Sequence, residues 1–163
     1  MYKHSYRHSL LTLTLILGAG FIGFDTPAQN PPPANRPAEA DSAGIRQAAL
    51  DYIEGWYEGN SERMERALHT ELAKRIVRTD PKSGRSGLGQ MSAMSLVQGT
   101  KNGGGKNTPK EKQQKDVTIL DVFENAACAK VVASDWVDYL QLAKWNGRWV
   151  IVNVLWELKP ETK

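Results

Sequence analysis

The pair Asn146–Gly147 separates two β-rich runs near the end of the chain, "WVDYLQLAKW" and "RWVIVNVLWELK". Asn-Gly between such runs is the strongest short hairpin signal, because a type I′ turn requires positive φ at both central residues. Two further β-rich runs, "DVTILDVFEN" and "AACAKVVASD", precede this hairpin. The second half of the chain therefore predicts an antiparallel sheet of consecutive strands.

Helical periodicity dominates the stretch before the sheet. Asp41 or Ser42 can cap a first helix, and Gly59–Asn60 ends it. A second short helix is predicted over residues 64–72 and a third from residue 90 to about 98. Helices followed by an antiparallel sheet are typical of an α+β fold. Six apolar residues share one stripe of the first helix: Ile45, Ala48, Ala49, Tyr52, Ile53 and Trp56.

The first 28 residues have the layout of a secretory signal peptide. Lys3 and Arg7 precede an apolar run over residues 10–24, and small residues lead to Ala28. A retained membrane anchor is the alternative, but a run of about fifteen residues is shorter than the roughly 20 that span a bilayer. We expect cleavage and export to the periplasm or the medium, with no membrane attachment afterwards.

The mature chain is expected to hold one domain. Residues 29–41 are proline-rich and predict a disordered leader, because they carry too little apolar surface to order themselves. Residues 42–160 are of ordinary size for a single domain with one core. Within them, the Lys- and Gly-rich stretch near 99–115 predicts a solvated, flexible loop.

Composition excludes several classes of function. The chain carries 21 Lys and Arg against 18 Asp and Glu, a mild excess that gives no electrostatic footprint for nucleic acid. Cys128 is the only cysteine, which excludes an intramolecular disulfide. His69 is the only histidine left after signal cleavage, so the usual zinc ligand sets are lacking. We therefore expect neither a metal site nor a cofactor.

Four segments, taken together, carry a resemblance to a known family: "AALDYIEGWYEGNSERMERALHTELAKR", "LGQMSAMSLVQ", "VTILDVFENAACAKV" and "DYLQLAKWNGRWVIVNVLW". Their order and spacing resemble the exported lumazine-binding family of the nuclear-transport-factor-2-like superfamily, which also contains SnoaL-like proteins and ketosteroid isomerases. The resemblance implies a cone: a strongly curved antiparallel sheet wrapped around helices, with an open end that can hold a small molecule. It also implies a homodimer formed through the sheet face.

Asn153 stands out in the last strand because its neighbours are apolar. Strict alternation places Asn153 on one face with Trp149, and residues 150, 152, 154 and 156 on the other, apolar face. A buried amide without a partner costs about 1 to 3 kcal/mol, so Asn153 must meet a neighbouring Tyr or Asp, an ordered water or a ligand. If the helices cover the face of Asn153, that face lines the cone and the apolar face forms the dimer contact; the sequence leaves open which face lines the cavity.

Two functions from different classes remain open. The first is a non-catalytic binding or assembly module for a small apolar or aromatic ligand. Candidate ligand-binding residues are Tyr52, Trp56, Met94, Trp149 and Asn153, with core packing as the alternative for Tyr52 and Met94.

The second is a proton-transfer enzyme of isomerase or dehydratase type. "DYIEGWYEGN" resembles the ketosteroid-isomerase segment that carries an oxyanion-donating tyrosine, which implies that role for Tyr52. Asp80 followed by Pro81 resembles their base, although it lies several residues too far from Asn60, and His69 is the other candidate base. The second acid of that site has no counterpart in this chain.

Overall fold

The computed structural model describes residues 39–160. The signal peptide and most of the leader lie outside this range, so their predictions stay predictions. Three helices and six strands make up the domain. The helices are α1 (Glu39–Glu58), α2 (Ser61–Ala67) and α3 (Ala93–Lys101), with a short 3₁₀ turn at Lys110–Lys112. The strands are β1 (Leu68–Thr79), β2 (Ser86–Ser92), β3 (Asp116–Phe123), β4 (Ala126–Val132), β5 (Trp136–Trp145) and β6 (Arg148–Leu158).

The six strands form one sheet in the order β2-β1-β6-β5-β4-β3. Neighbouring strands are antiparallel except for β1 and β6, which run parallel. The α+β class is confirmed, and the four strands expected in the second half are β3 to β6. Asn146 and Gly147 have φ of 48° and 80°. This is the left-handed conformation that the predicted hairpin turn requires.

The sequence prediction was wrong about β1 and β2. Residues 64–72 were expected to be helical, but α2 ends at Ala67 and Leu68 begins β1. A spacing of four fits a strand as well as a helix, and Leu68 and Leu72 share the buried face of β1 with Ile76. The predicted third helix also starts later, at Ala93, since residues 86–92 form β2. From Lys101, helix α3 continues into turns and the 3₁₀ turn; the flexibility of this segment stays a prediction.

The core lies between α1 and the inner face of the sheet. Ile45, Ile53, Met64, Leu140 and Ile151 are among the side chains that are fully buried there. Burying one such side chain stabilises the fold by about 1.5 to 3 kcal/mol. The apolar stripe predicted for α1 is the helix face that makes this contact.

A β-bulge in β6 determines which side chains face the core. Gln141 of β5 pairs with Asn153, and the next pair is Leu142 with Ile151, which leaves Val152 as an extra residue. Alternation is therefore interrupted between residues 151 and 154. Ile151 and Val154 are both fully buried towards the helices, whereas Asn153 lies on the outer face. The predicted division of β6 into two faces was wrong for this reason.

Candidate functional site

A cavity of about 310 Å³ opens between the helices and the inner face of the sheet. Four aromatic side chains contribute to its wall: Tyr52 and Trp56 from α1, Trp136 from β5 and Trp156 from β6. The rest of the lining comprises the apolar side chains Ile53, Met64, Met91, Leu96 and Leu158, together with Lys74 and the exposed Asp135. The cavity is therefore an aromatic enclosure with little polar surface.

A buried cation and a buried carboxylate meet at one side of this cavity. Lys74 is 5% exposed and Asp138 is 0% exposed. Lys74 Nζ lies 2.5 Å from Asp138 Oδ1 and donates a second hydrogen bond, also of 2.5 Å, to the Tyr52 hydroxyl. The other oxygen of Asp138 accepts hydrogen bonds from Tyr52 Oη at 3.2 Å and Trp136 Nε1 at 2.7 Å. Three elements, α1, β1 and β5, thus supply one closed ionic network.

Burial changes the acidity of two members of this network. It raises the pKa of the Tyr52 phenol well above its ordinary value, and the negative charge of Asp138 raises it further. Burial lowers the pKa of the Lys74 ammonium, an effect that Asp138 partly offsets. The Tyr52 hydroxyl therefore stays protonated at neutral pH, as its hydrogen bond to Asp138 requires.

Aromatic rings surround the Lys74 ammonium. Its Nζ lies 4.8 Å from the ring centre of Trp156, 5.3 Å from that of Tyr52 and 6.0 Å from that of Trp136. These distances are within the range of cation–π attraction. Trp156 Nε1 is buried and has no hydrogen-bond partner among residues 39–160.

The glycine run at residues 103–105 packs against Trp56. A Cβ atom added at Gly104 would lie 2.3 Å from the Trp56 ring, and one at Gly105 would lie 2.5 Å from the Trp56 carbonyl oxygen. Any larger residue at these two positions would have to displace Trp56. The glycines therefore hold one aromatic wall of the cavity in place.

Comparison with known proteins agrees with this architecture. A family model described as "Putative lumazine-binding" matches residues 40–157. The chain belongs to this family. Among curated proteins no sequence matches the chain.

Solved structures show the same fold. A nuclear-transport-factor-2-like (NTF2-like) protein of unknown function from Methylobacillus flagellatus superposes with a TM-score of 0.59 at 23% identity, covering 77% of this chain and 97% of that one. Another from Shewanella baltica gives a TM-score of 0.58 at 19% identity, covering 78% and 100%. At such identities these likenesses establish the fold alone.

Of the five ligand-binding candidates in this lumazine-binding family member, only Tyr52 and Trp56 line the aromatic cavity. Met94 is 81% exposed on α3. Trp149 is buried near the start of α1, where its Nε1 donates to Asp41 at 2.9 Å. Asn153 accepts from Arg75 at 2.8 Å and donates to Gln141 at 3.1 Å on the outer face. The structure therefore does not bring the five candidates together at one cavity.

The two candidate bases lie away from the cavity. Asp80 is exposed in the turn between β1 and β2, where the pKa of its carboxyl is lowered by hydrogen bonds from Ser83 and Lys82. His69 lies on β1, packs edge-on against Trp145 with 4.9 Å between ring centres, and accepts a hydrogen bond from the Glu71 amide. Neither side chain lines the cavity that Tyr52 lines.

Sequence reasoning missed Lys74 and Asp138. Lys74 lies just after the predicted second helix, in a segment for which no strand was predicted. A lysine is normally exposed, so nothing in the local sequence indicated its burial. Asp138 did carry a signal, because it occupies an inward position in the alternating run of β5 between Trp136 and Leu140. Its partner is 64 residues away in sequence, so only the fold brings the pair together.

Within residues 39–160, no group of three or more metal-ligating side chains comes together. In the same part of the chain, none of the helices has the length and apolar character to cross a membrane.

Proposed function

We propose that this protein binds a small, flat, apolar or aromatic molecule in the cavity walled by Tyr52, Trp56, Trp136 and Trp156, without chemistry of its own. The observation that carries the proposal is this aromatic enclosure. Its volume of about 310 Å³ falls at the lower end of the roughly 300–1,000 Å³ of typical ligand pockets. The lumazine of the family description is a flat bicyclic ring system, which has the shape that such walls accommodate.

The arrangement of the ionisable groups supports binding rather than proton transfer. The Tyr52 hydroxyl, the group expected to polarise a substrate carbonyl, is engaged by Lys74 and Asp138. The bases expected to work with it, Asp80 and His69, are not lining residues. General acid–base catalysis requires such groups to lie within about 3 Å of a common substrate atom.

Removal of one aromatic wall tests this proposal. Trp156→Leu takes away a stacking surface and breaks no hydrogen bond that the described residues make. An aromatic contact contributes about 0.5 to 1.5 kcal/mol, so 2-isopropenylnaphthalene should bind the variant roughly two- to twelvefold more weakly in equilibrium dialysis. Trp145→Leu is the matched control, because Trp145 is 53% exposed and does not line the cavity. Equal affinity in all three proteins would reject the proposal.

We further propose that the protein works after export and as a homodimer. Export rests on the sequence of residues 1–28, and the N-terminus found by mass spectrometry of the exported product tests it. An intact Met1 in membrane fractions would count against cleavage.

The proposed dimer rests on exposed apolar side chains on the outer face of the sheet, namely Val77, Leu88, Tyr139 and Leu155.

A further inference from the structure

Lys74 lies at the cavity wall and has one hydrogen-bond donor more than the described part of the chain uses. An ammonium carries three N–H groups. Among residues 39–160, Lys74 Nζ donates to two acceptors, Asp138 Oδ1 and the Tyr52 hydroxyl. Lys74 lines the cavity, the rings of Trp156, Tyr52 and Trp136 lie within 6.0 Å of its Nζ, and one N–H is left without an acceptor among the described residues. An oxygen atom of a bound molecule would provide the missing acceptor.

The charge of the site restricts what that molecule can be. Lys74 is already neutralised by Asp138 at 2.5 Å, and Asp135 adds a carboxylate to the cavity lining. An anionic ligand would therefore bring an additional negative charge into a poorly solvated space, at a large desolvation cost. A cationic ligand is disfavoured as well, because Lys74 already lies 4.8 Å from the Trp156 ring centre.

We propose that the cavity selects uncharged aromatic or conjugated carbonyl compounds, whose carbonyl oxygen accepts the third N–H of Lys74. This inference rests on the proposed binding function and specifies the ligand class. The aromatic walls contact the ring system, and Lys74 donates a hydrogen bond to the carbonyl oxygen. The Lys74–Asp138 pair thus acts as a neutral unit that still offers a charged, strong donor.

Three probes of nearly identical shape test the inference. 2-Acetonaphthone carries a neutral carbonyl, 2-isopropenylnaphthalene replaces its oxygen with a methylene group, and 2-naphthoate replaces its methyl group with a charged oxygen. Equilibrium dialysis against wild type should show 2-acetonaphthone binding about tenfold or more tightly than each of the other two, as expected for one hydrogen bond to a charged donor.

The double variant Lys74→Met/Asp138→Asn removes both charges and keeps an acceptor for Trp136 and Tyr52. It should bind 2-acetonaphthone and 2-isopropenylnaphthalene with affinities equal to within about twofold. Arg75→Met is the matched control: it removes a cation from the next residue of β1, which faces the outer side, and should retain the wild-type ranking. If the double variant does not fold, the ranking of the three probes on wild type still decides whether the cavity prefers an uncharged carbonyl compound.

The outcomes separate this inference from the proposed function. Equal binding of 2-acetonaphthone and 2-isopropenylnaphthalene to wild type would overturn the carbonyl inference and leave the aromatic binding function standing. Tightest binding of 2-naphthoate would also overturn it, in favour of an anionic ligand. Retention of the carbonyl preference in a folded double variant would show that Lys74 is not the group that donates to the carbonyl oxygen. Failure of all three probes to bind would reject both proposals.

Discussion

At the scale of single residues, Lys74 and Asp138 depend on each other. Both are buried, and removal of one partner leaves the other as an uncompensated charge. We expect Lys74→Met to cost about 3 to 5 kcal/mol in free energy of unfolding, as measured by urea denaturation. The double variant Lys74→Met/Asp138→Asn should recover most of this loss. A single variant as stable as wild type would show that the pair is not needed for folding.

The sequence singled out Asn153 as a polar residue among apolar neighbours, but it does not show that Asn153 lies on the outer face of the sheet. Its amide links Arg75 to Gln141 on the outer face. Asn153→Leu should therefore lower the free energy of unfolding by about 0.5 to 1.5 kcal/mol and leave affinity for 2-isopropenylnaphthalene unchanged. Chemical denaturation and dialysis of the same preparations measure both effects. Weaker binding without loss of stability would mean that Asn153 contacts the ligand.

Sequence alone identified two of the cavity's aromatic walls and none of its charges. Tyr52 and Trp56 were predictable because helical periodicity depends on neighbours within a few residues. Lys74 and Asp138 were not, because a buried ion pair is defined by a partner that is distant in the chain. For an unpaired Lys or Asp, exposure is the better expectation.

At the scale of secondary structure, ionic contacts tie α1 to α2. The Asp51 carboxylate, buried on α1, accepts hydrogen bonds from Arg63 and Arg66 of α2. Burial alone would raise the pKa of this carboxyl, but the hydrogen bonds from Arg66 and Arg63 outweigh it and the pKa is lowered from 3.8. The folded state thus holds the proton less tightly than the unfolded chain does.

A pH-dependent stability follows from that difference. An acid with a lowered folded pKa stabilises the protein above its unfolded value, and the contribution disappears as pH falls through the folded value. Asp51→Asn should therefore be less stable than wild type by about 1 to 3 kcal/mol at neutral pH, with a difference that shrinks as pH falls below 3.8. Urea denaturation from pH 7 down to pH 3 measures it. A difference that does not change with pH would argue against the ionic explanation.

The strands show which parts of the sheet can be predicted from local sequence patterns and which cannot. The strands β3 to β6 follow one another along the chain and were predictable from β-rich runs with a marked turn. In contrast, β1 pairs in parallel with β6, and the paired residues are far apart in the sequence, as in Leu68 with Ile151 and Ala73 with Asn153. No short-range signal in the sequence could indicate that pairing.

At the scale of the whole molecule, the outer sheet face is the surface through which we propose that two copies associate. Leu155 is 50% exposed and pairs with the equally exposed Tyr139. If this face joins two copies, Leu155→Glu should produce a monomer, because a charge would be buried in the contact. Light scattering coupled to size exclusion measures the mass. Met94→Glu, on the exposed side of α3, is the control and should stay dimeric. A wild-type protein that is monomeric at high concentration would contradict the dimer.

The extra residue in β6, Val152, affects the bend of the strand but not which of the other side chains point inward. Without Val152, residues 151, 153 and 154 would again alternate regularly between inner and outer face, so deletion of one codon would leave every inward-pointing residue of β6 inward. What the deletion would take away is the local bend and added twist that a bulge imparts to a strand. The curvature of the sheet around its helices can thus be altered in this protein while the chemical identity of its interior surface is held constant.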